Sequence, residues 1–251
     1  MKIEIRKVND ERGILQITTV DERFYAVPKA PDGYTYYPSS TWIASYYPKG
    51  IAYFKWLANH GWDEAESLKT AAGEKGSKVH HAIADLLGGK TVSIDAKYAN
   101  NDGEPEELTP EEYECIMSFV AWHKSVNPKM LSSEKTVLNI KEGYAGTIDF
   151  LCEINNKVYL IDFKTSQYIW PSHEIQIASY LHADGIPKCT PAVLQLGYKR
   201  NRNKYKFTEL DDKYHLFLAA KQIWAEECSK IVPLQKDYPL QLTLKKEVKN
   251  G

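Results

Sequence analysis

The stretch GTIDFLCEINNKVYLIDFKTS, Gly146 to Ser166, decides how this chain is read. Two runs of β-branched and aromatic side chains, 147–152 and 158–163, flank the pair Asn155-Asn156. Asparagine tolerates positive φ, so the pair suits a two-residue hairpin turn. With the asparagines at the turn, Ile154 faces Lys157, and stepping outward sets Asp149 against Asp162 and Thr147 against Lys164. Side chains alternate along a strand, so Asp162 and Lys164 share a face. Opposed carboxylates with Cβ atoms about 5 Å apart repel, and a cation between them removes the conflict. Mg²⁺ commonly takes one or two carboxylates beside phosphate and water. A lysine two residues on can hold a water or a phosphate oxygen, which is what metal-assisted phosphodiester hydrolysis requires.

The rest of the chain sets bounds. Its 251 residues suffice for one large domain with a substantial core. No apolar run is long enough to span a bilayer, and MKIEIRKVND has no apolar signal region, so a cytoplasmic protein with no membrane partner is expected. Cys115, Cys152, Cys189 and Cys228 lie far apart without C-x-x-C spacing and read as free thiols. A net charge of -1 makes the whole chain no magnet for polyanions, so any such site is local. The candidate is GYKRNRNKYKF, 197–207, where Lys199, Arg200, Arg202, Lys204 and Lys206 crowd a hairpin beside Tyr198 and Tyr205. A solvated basic turn is the competing reading.

The predicted element order is a mixed α/β core. Short strands at 3–5, 15–18 and 24–27 make a β appendage over 1–33. A helical segment covers 39–90. It starts at the N-cap cluster Ser39-Ser40-Thr41, breaks at Pro48, and continues as separate helices at 62–72 and 74–87. The acidic run 101–112 reads as a solvated loop entering a capped helix, with Thr109 and Glu112 in capping-box spacing. That helix spans 110–126. A catalytic core over 130–230 follows: strands at 134–140, 144–153 and 158–165, a helix at 172–183, strands at 192–198 and 205–207, and a helix at 211–230. The end, KKEVKNG, is expected to fray.

Further candidates come from helical phase. Val79, Ile83, Leu86 and Leu87 form one stripe, with His80 at its edge and His81 pointing away into solvent. Near paired carboxylates, His80 becomes a candidate metal ligand. Gln176 and Tyr180 stack at i and i+4, while His173 and Glu174 read as exposed first-turn residues. The aromatics between Tyr34 and Trp62 read as core packing, with base-stacking platforms as the alternative.

Together, Gly76-Ser77-Lys78-Val79-His80, Gly146-Thr147-Ile148-Asp149, Asp162-Phe163-Lys164, and Gln176 with Tyr180 resemble, in this order, the G-x-x-x-H, G-x-x-D, D-x-K and Q-x-x-x-Y motifs of RecB-like exonucleases in the PD-(D/E)XK superfamily. The resemblance covers roughly 39–198. The segment Tyr37-Pro38-Ser39-Ser40-Thr41 and Trp56 are similar to the entry segment of the phage and mitochondrial single-strand exonucleases of that superfamily. The resemblance implies a restriction-endonuclease-like mixed sheet flanked by helices. It implies Mg²⁺ or Mn²⁺ on Asp149, Asp162 and the carbonyl of Phe163, with His80 completing the metal shell. Lys164 would activate or position the attacking water, and Gln176 and Tyr180 would hold the lysine and DNA. Glu134 matches an acid often found on the first core strand.

The implied activity is exonucleolytic hydrolysis of single-stranded or end-processed DNA in recombination, repair or phage replication. A bacterial or phage-encoded protein fits, with a single-strand annealing or replication protein as a possible partner. The alternatives are a structure-specific or restriction-type endonuclease, a noncatalytic nucleic-acid-binding module of the same fold, and a hydrolase of small phosphate esters. Relatives with an iron–sulfur cluster place one cysteine before the histidine motif and three near the C-terminus. No cysteine precedes His80 here, so no such cluster is expected.

Overall fold

The computed structural model describes residues 4–8, 11–19, 22–31, 33–100 and 103–233; the expected fraying of 245–251 lies outside them. Strands β1 (Glu4–Lys7), β2 (Leu15–Thr18), β3 (Arg23–Pro28) and β4 (Tyr34–Pro38) form an antiparallel sheet in chain order. Helices α1 (Ser40–Ser45), α2 (Ile51–His60) and α3 (Trp62–Leu87) follow, then a small ribbon of β5 (Lys97–Ala99) and β6 (Pro105–Glu107). Helix α4 (Pro110–Val126) opens with the expected capping box between Thr109 and Glu112. The second half supplies β7 (Lys129–Asn139), β8 (Tyr144–Ile154), β9 (Lys157–Lys164), α5 (Pro171–Leu181), β10 (Thr190–Leu196), β11 (Tyr205–Glu209) and α6 (Tyr214–Cys228).

The five strands β7 to β11 make one mixed sheet, ordered β11-β10-β9-β8-β7. Only β9 and β10 run parallel among these pairs, joined by the crossover through α5. One face is covered by α3 and α4: Val79, Ile83, Ile116, Phe119 and Trp122 pack on Phe150, Ile161, Phe163 and Leu194. The other face holds α5, through Ile177 and Tyr180 against Val137, Ile148, Leu160 and Val193. The mixed α/β class is as expected. The hairpin also forms in the expected register, from Ile154 opposite Lys157 to Phe150 opposite Ile161, with Asn155 and Asn156 at φ 49° and 62°.

The N-terminal sheet is not an appendage ending at 33. It continues through β4, and it is built into the body: Phe24 meets Trp42 edge-on at 5.1 Å, and Trp42 meets Trp224 at 5.1 Å. Ser40 Oγ donates to the Ala145 carbonyl at 3.1 Å. Strand β4 eluded the periodicity because its aromatics fall on both faces, Tyr34 and Tyr36 exposed and Tyr37 half-buried, so no apolar–polar alternation marks it. Likewise the core is not confined to 130–230, since α3 and α4 supply one of its buried layers.

Helix α3 runs unbroken across Gly73 and Gly76. Each glycine costs about 1 kcal/mol relative to alanine, which the packing of α3 against α4 and the sheet offsets; a Cβ at Gly76 would make only ordinary contact, 4.0 Å from Thr165 Oγ1. His81 is half-buried in this helix, not solvent-facing, because α3 is covered on more than one side. Core packing holds for Trp42 and Ile43 of α1, whereas α2 buries no residue and leaves Ile51 and Phe54 exposed. Among the described residues no helix is long and apolar enough to cross a membrane.

Lys78 of α3 is buried at 2% exposure, ion-paired with Glu106 and with Glu74 and Glu112 at 3.6 Å each. Burial opposes its charge, and the surrounding carboxylates outweigh that and raise its pKa. It ties α3 to α4 and to β6 beside the His80 turn. Lys78→Ala leaves the buried Glu112 carboxylate without its cation and is expected to lower unfolding free energy by about 3 kcal/mol in urea melts. Lys75→Ala, at the exposed pair with Glu111, is expected to shift it by less than about 1 kcal/mol.

Candidate active site

The β8–β9 ladder stops at Phe150 opposite Ile161. Asp149 and Asp162 therefore do not pair across the hairpin, nor do Thr147 and Lys164. Instead the Asp149 side chain takes the place of backbone: its Oδ2 accepts the Phe163 N–H at 2.8 Å. On the other side, the pairs Ser133–Phe150 and Lys135–Ile148 flank Glu134, whose φ is 47°. A glutamate in the left-handed region costs about 1–2 kcal/mol, and such strain collects at functional sites. The strand's phase changes here too, since Ile148 and Leu151 pack on the same face although three residues apart.

Into this opening α3 sends His80. Its Nδ1 lies 3.3 Å from Asp149 Oδ1 and its Nε2 2.9 Å from the Phe163 carbonyl. Ligand atoms of His80, Glu134 and Asp149 lie within 4.8 Å of one another. Asp162, 3% exposed, directs its carboxylate to Lys164, whose Nζ lies 2.6 Å from Oδ2. The two form an ion pair shielded from solvent.

The electrostatics follow from burial and crowding. Burial works against a charged His80, but the Asp149 carboxylate prevails and pushes its pKa up to about 9. Asp149 is held below the usual carboxylate range, with burial opposing and His80 and Lys164 winning. Asp162 is pushed up to about 6 by burial, with Lys164 opposing and the Asp149 charge adding. Lys164 loses to burial but gains more from both aspartates, so its pKa rises.

The donor set fits a hard or borderline divalent cation. An imidazole, converging carboxylates and a backbone carbonyl match the ligands Mg²⁺ and Mn²⁺ accept. Glu134, which the resemblance matches only to an acid often found on the first core strand, joins His80 and Asp149, whereas Asp162 turns toward Lys164. A positive-φ glutamate leaves no mark in a one-dimensional pattern.

The other expected residues are placed as follows. Gln176 Nε2 donates to Tyr180 OH at 2.8 Å, confirming their common helix face. Neither bonds Lys164 among the described residues, so holding the lysine falls to Asp162. Tyr180 is buried against Gly146, where a Cβ would overlap its ring. His173 is half-buried, not exposed: its Nδ1 accepts the Trp170 N–H at 3.4 Å, and burial with nearby Lys164 and Lys49 pushes its pKa down to about 3. Glu174 is half-buried and pairs with Lys213 at 2.5 Å. Tyr25, missed in the sequence because β3 is distant in the chain, donates or accepts with Thr147 Oγ1 at 2.9 Å.

The basic hairpin is less cationic than its sequence. Lys199 lies 3.7 Å from Glu111 and Lys204 3.3 Å from Glu114, both acids of α4. Arg200 sits on Tyr168, and Arg202 is exposed. All four cysteines are free thiols, with Cys115, Cys152 and Cys228 buried.

No family model matches the chain, and no curated protein matches it.

In the metal-free protein, NMR titration is expected to find the His80 imidazole ionising near pH 9, and in Asp149→Asn, where burial and Lys164 prevail, ionising below the ordinary 6.5. The sign follows: His80 contributes stability that is full below about pH 6.5 and lost as pH rises through about 9. Gly146→Ala forces Tyr180 aside and is expected to cost about 1–3 kcal/mol in a denaturant melt.

Proposed function

We propose that this chain is a metal-dependent deoxyribonuclease of the PD-(D/E)XK type, acting as an exonuclease on single-stranded or end-processed DNA. One observation carries the reading: His80 of α3, Glu134 of β7, Asp149 of β8 and the Phe163 carbonyl and Asp162–Lys164 pair of β9 meet where the central hairpin parts. Three of the four sequence motifs that resemble the RecB-like exonucleases supply these groups, and Tyr180 of the fourth packs on Gly146.

In this reading His80, Glu134, Asp149, Asp162 and the Phe163 carbonyl hold Mg²⁺ or Mn²⁺. Bound there, the ion supplies polarisation of the scissile phosphate and a more acidic water. Ligation needs a neutral imidazole, so His80 gives up the proton that Asp149 stabilises in the empty site. Lys164, kept charged by Asp162, donates to the attacking water or to a non-bridging phosphate oxygen, where negative charge grows in the transition state. Its position is fixed before substrate arrives by the 2.6 Å contact with Asp162. Neutral His173, with Nδ1 engaged by Trp170, presents its Nε2–H as a second donor without adding charge. Tyr180, Gln176 and Tyr25 form a packed floor that keeps β8 in place.

End-labelled linear single-stranded DNA with Mn²⁺ or Mg²⁺ is expected to release nucleotides, while closed circles stay intact. Lys164→Ala is expected to lower the rate about 10²–10⁴-fold with circular dichroism unchanged. Cutting of circles would assign an endonuclease instead. Binding without cleavage by the unsubstituted chain would assign a noncatalytic module.

A further inference from the structure

Past Lys164 the chain turns through residues 165–170 into α5, and this turn is fastened to the β10–β11 hairpin. Gln195 Nε2 donates to the Ser166 carbonyl at 2.9 Å, and Gln167 Nε2 donates to the Gly197 carbonyl at 3.0 Å. Gln167 Oε1 accepts the Lys199 N–H at 2.9 Å, and Ser166 Oγ donates to the Tyr168 carbonyl at 2.8 Å. A turn so fixed nevertheless presents two large rings to solvent, Tyr168 at 57% exposure and Trp170 at 47%, with centroids 6.1 Å apart.

Rings of this size usually bury 150–250 Å² each or so, and leaving both in water forgoes that gain. Here they are also held in place. Arg200 Nη2 donates to Tyr168 OH at 2.9 Å, and its guanidinium carbon lies 5.0 Å from the Tyr168 ring centroid. Trp170 is the N-cap residue of α5, in extended backbone at φ -88° before Pro171. With Lys199 and Lys204 taken by α4 carboxylates, the cation beside the rings is a guanidinium, which can stack as well as attract phosphate.

We infer that Tyr168, Trp170 and Arg200 form a ledge on which unpaired bases of a polynucleotide stack as the strand leads away from Lys164. The inference rests on the nuclease reading above. Its occupant is a single strand, because bases within a duplex already stack on one another and leave no face for a ring. Tyr168 lies four residues beyond Lys164, so chain reach limits their Cα separation to about 14 Å. Every base has a π face, so the ledge grips a strand without reading its sequence.

The test compares two strands with the same phosphates: an oligothymidylate of about 15 nucleotides and its abasic counterpart, both fluorescently labelled. Their affinities are read by anisotropy with the Lys164→Ala chain, which holds substrate without consuming it. The base-bearing strand is expected to bind about tenfold more tightly or better. Tyr168→Ala with Trp170→Ala added is expected to erase that preference while affinity for the abasic strand stays the same. Trp170→Phe, which keeps a ring on the folded turn, is expected to retain it. Equal affinity of the Lys164→Ala chain for both strands, or a preference that survives loss of both rings, overturns the ledge and leaves the nuclease standing. Failure to bind either strand, together with no cleavage by the unsubstituted protein, overturns the nuclease reading and the ledge with it.

Discussion

The hydrogen bond from the Phe163 amide to the Asp149 carboxylate, 2.8 Å long, is the contact on which the site depends. It stands where the next step of the β8–β9 ladder would otherwise be. A side chain in that place ends the ladder while keeping the Phe163 amide paired, which is the condition for parting two strands inside a folded sheet. The parting gives the carbonyl of Phe163 a new partner in His80 and turns Asp162 toward Lys164. Restoring the backbone pairing would close the opening and return the two aspartates to direct opposition.

Charge balance explains why so many ionisable groups tolerate this depth. Glu134, Asp149 and Asp162 bring acids from three neighbouring strands, while His80 and Lys164 bring cations from a helix and a strand end. The compensation is uneven. Asp149, touched by His80, is held low, whereas Asp162 is pushed up to about 6 although Lys164 lies 2.6 Å away. Near neutral pH the fold thus holds one firmly ionised acid and one whose ionisation is still opposed by burial. In the proposed reading a divalent cation would relieve that opposition.

Local chemistry was legible from the sequence. Asn155-Asn156, the two strand runs and the Thr109–Glu112 capping box each carry their reason within a few residues, and each forms as expected. The i, i+4 pair of Gln176 and Tyr180 was visible for the same cause. What failed were inferences that assume regularity or isolation. Uniform extrapolation of the hairpin register ran past the point where Asp149 replaces backbone. Gly73 read as a helix break because propensity says nothing of the packing on α4 and the sheet that carries α3 through it. His173 and His81 read as exposed because their covering comes from segments distant in sequence. Glu134 was recognisable as an acid on a strand, but its left-handed backbone and its nearness to His80 exist only in three dimensions.

Helix α5 links these features. Its connection from β9 to parallel β10 is long enough to cross the sheet, and the same crossover sets Tyr180 beneath Gly146 and His173 beside Lys164. The N-terminal end of α5 carries Trp170, and the segment before it is bonded to the hairpin that bears Arg200. Displacing α5 would therefore disturb the floor of the site, the neutral imidazole and the exposed rings together. The absence of room for a Cβ at Gly146 shows how little such displacement the packing allows, since even one methyl group meets the Tyr180 ring. Precision in the ionisable cluster is thus a property of the crossover and its packing, with the charged residues occupying positions that the apolar layers have already fixed.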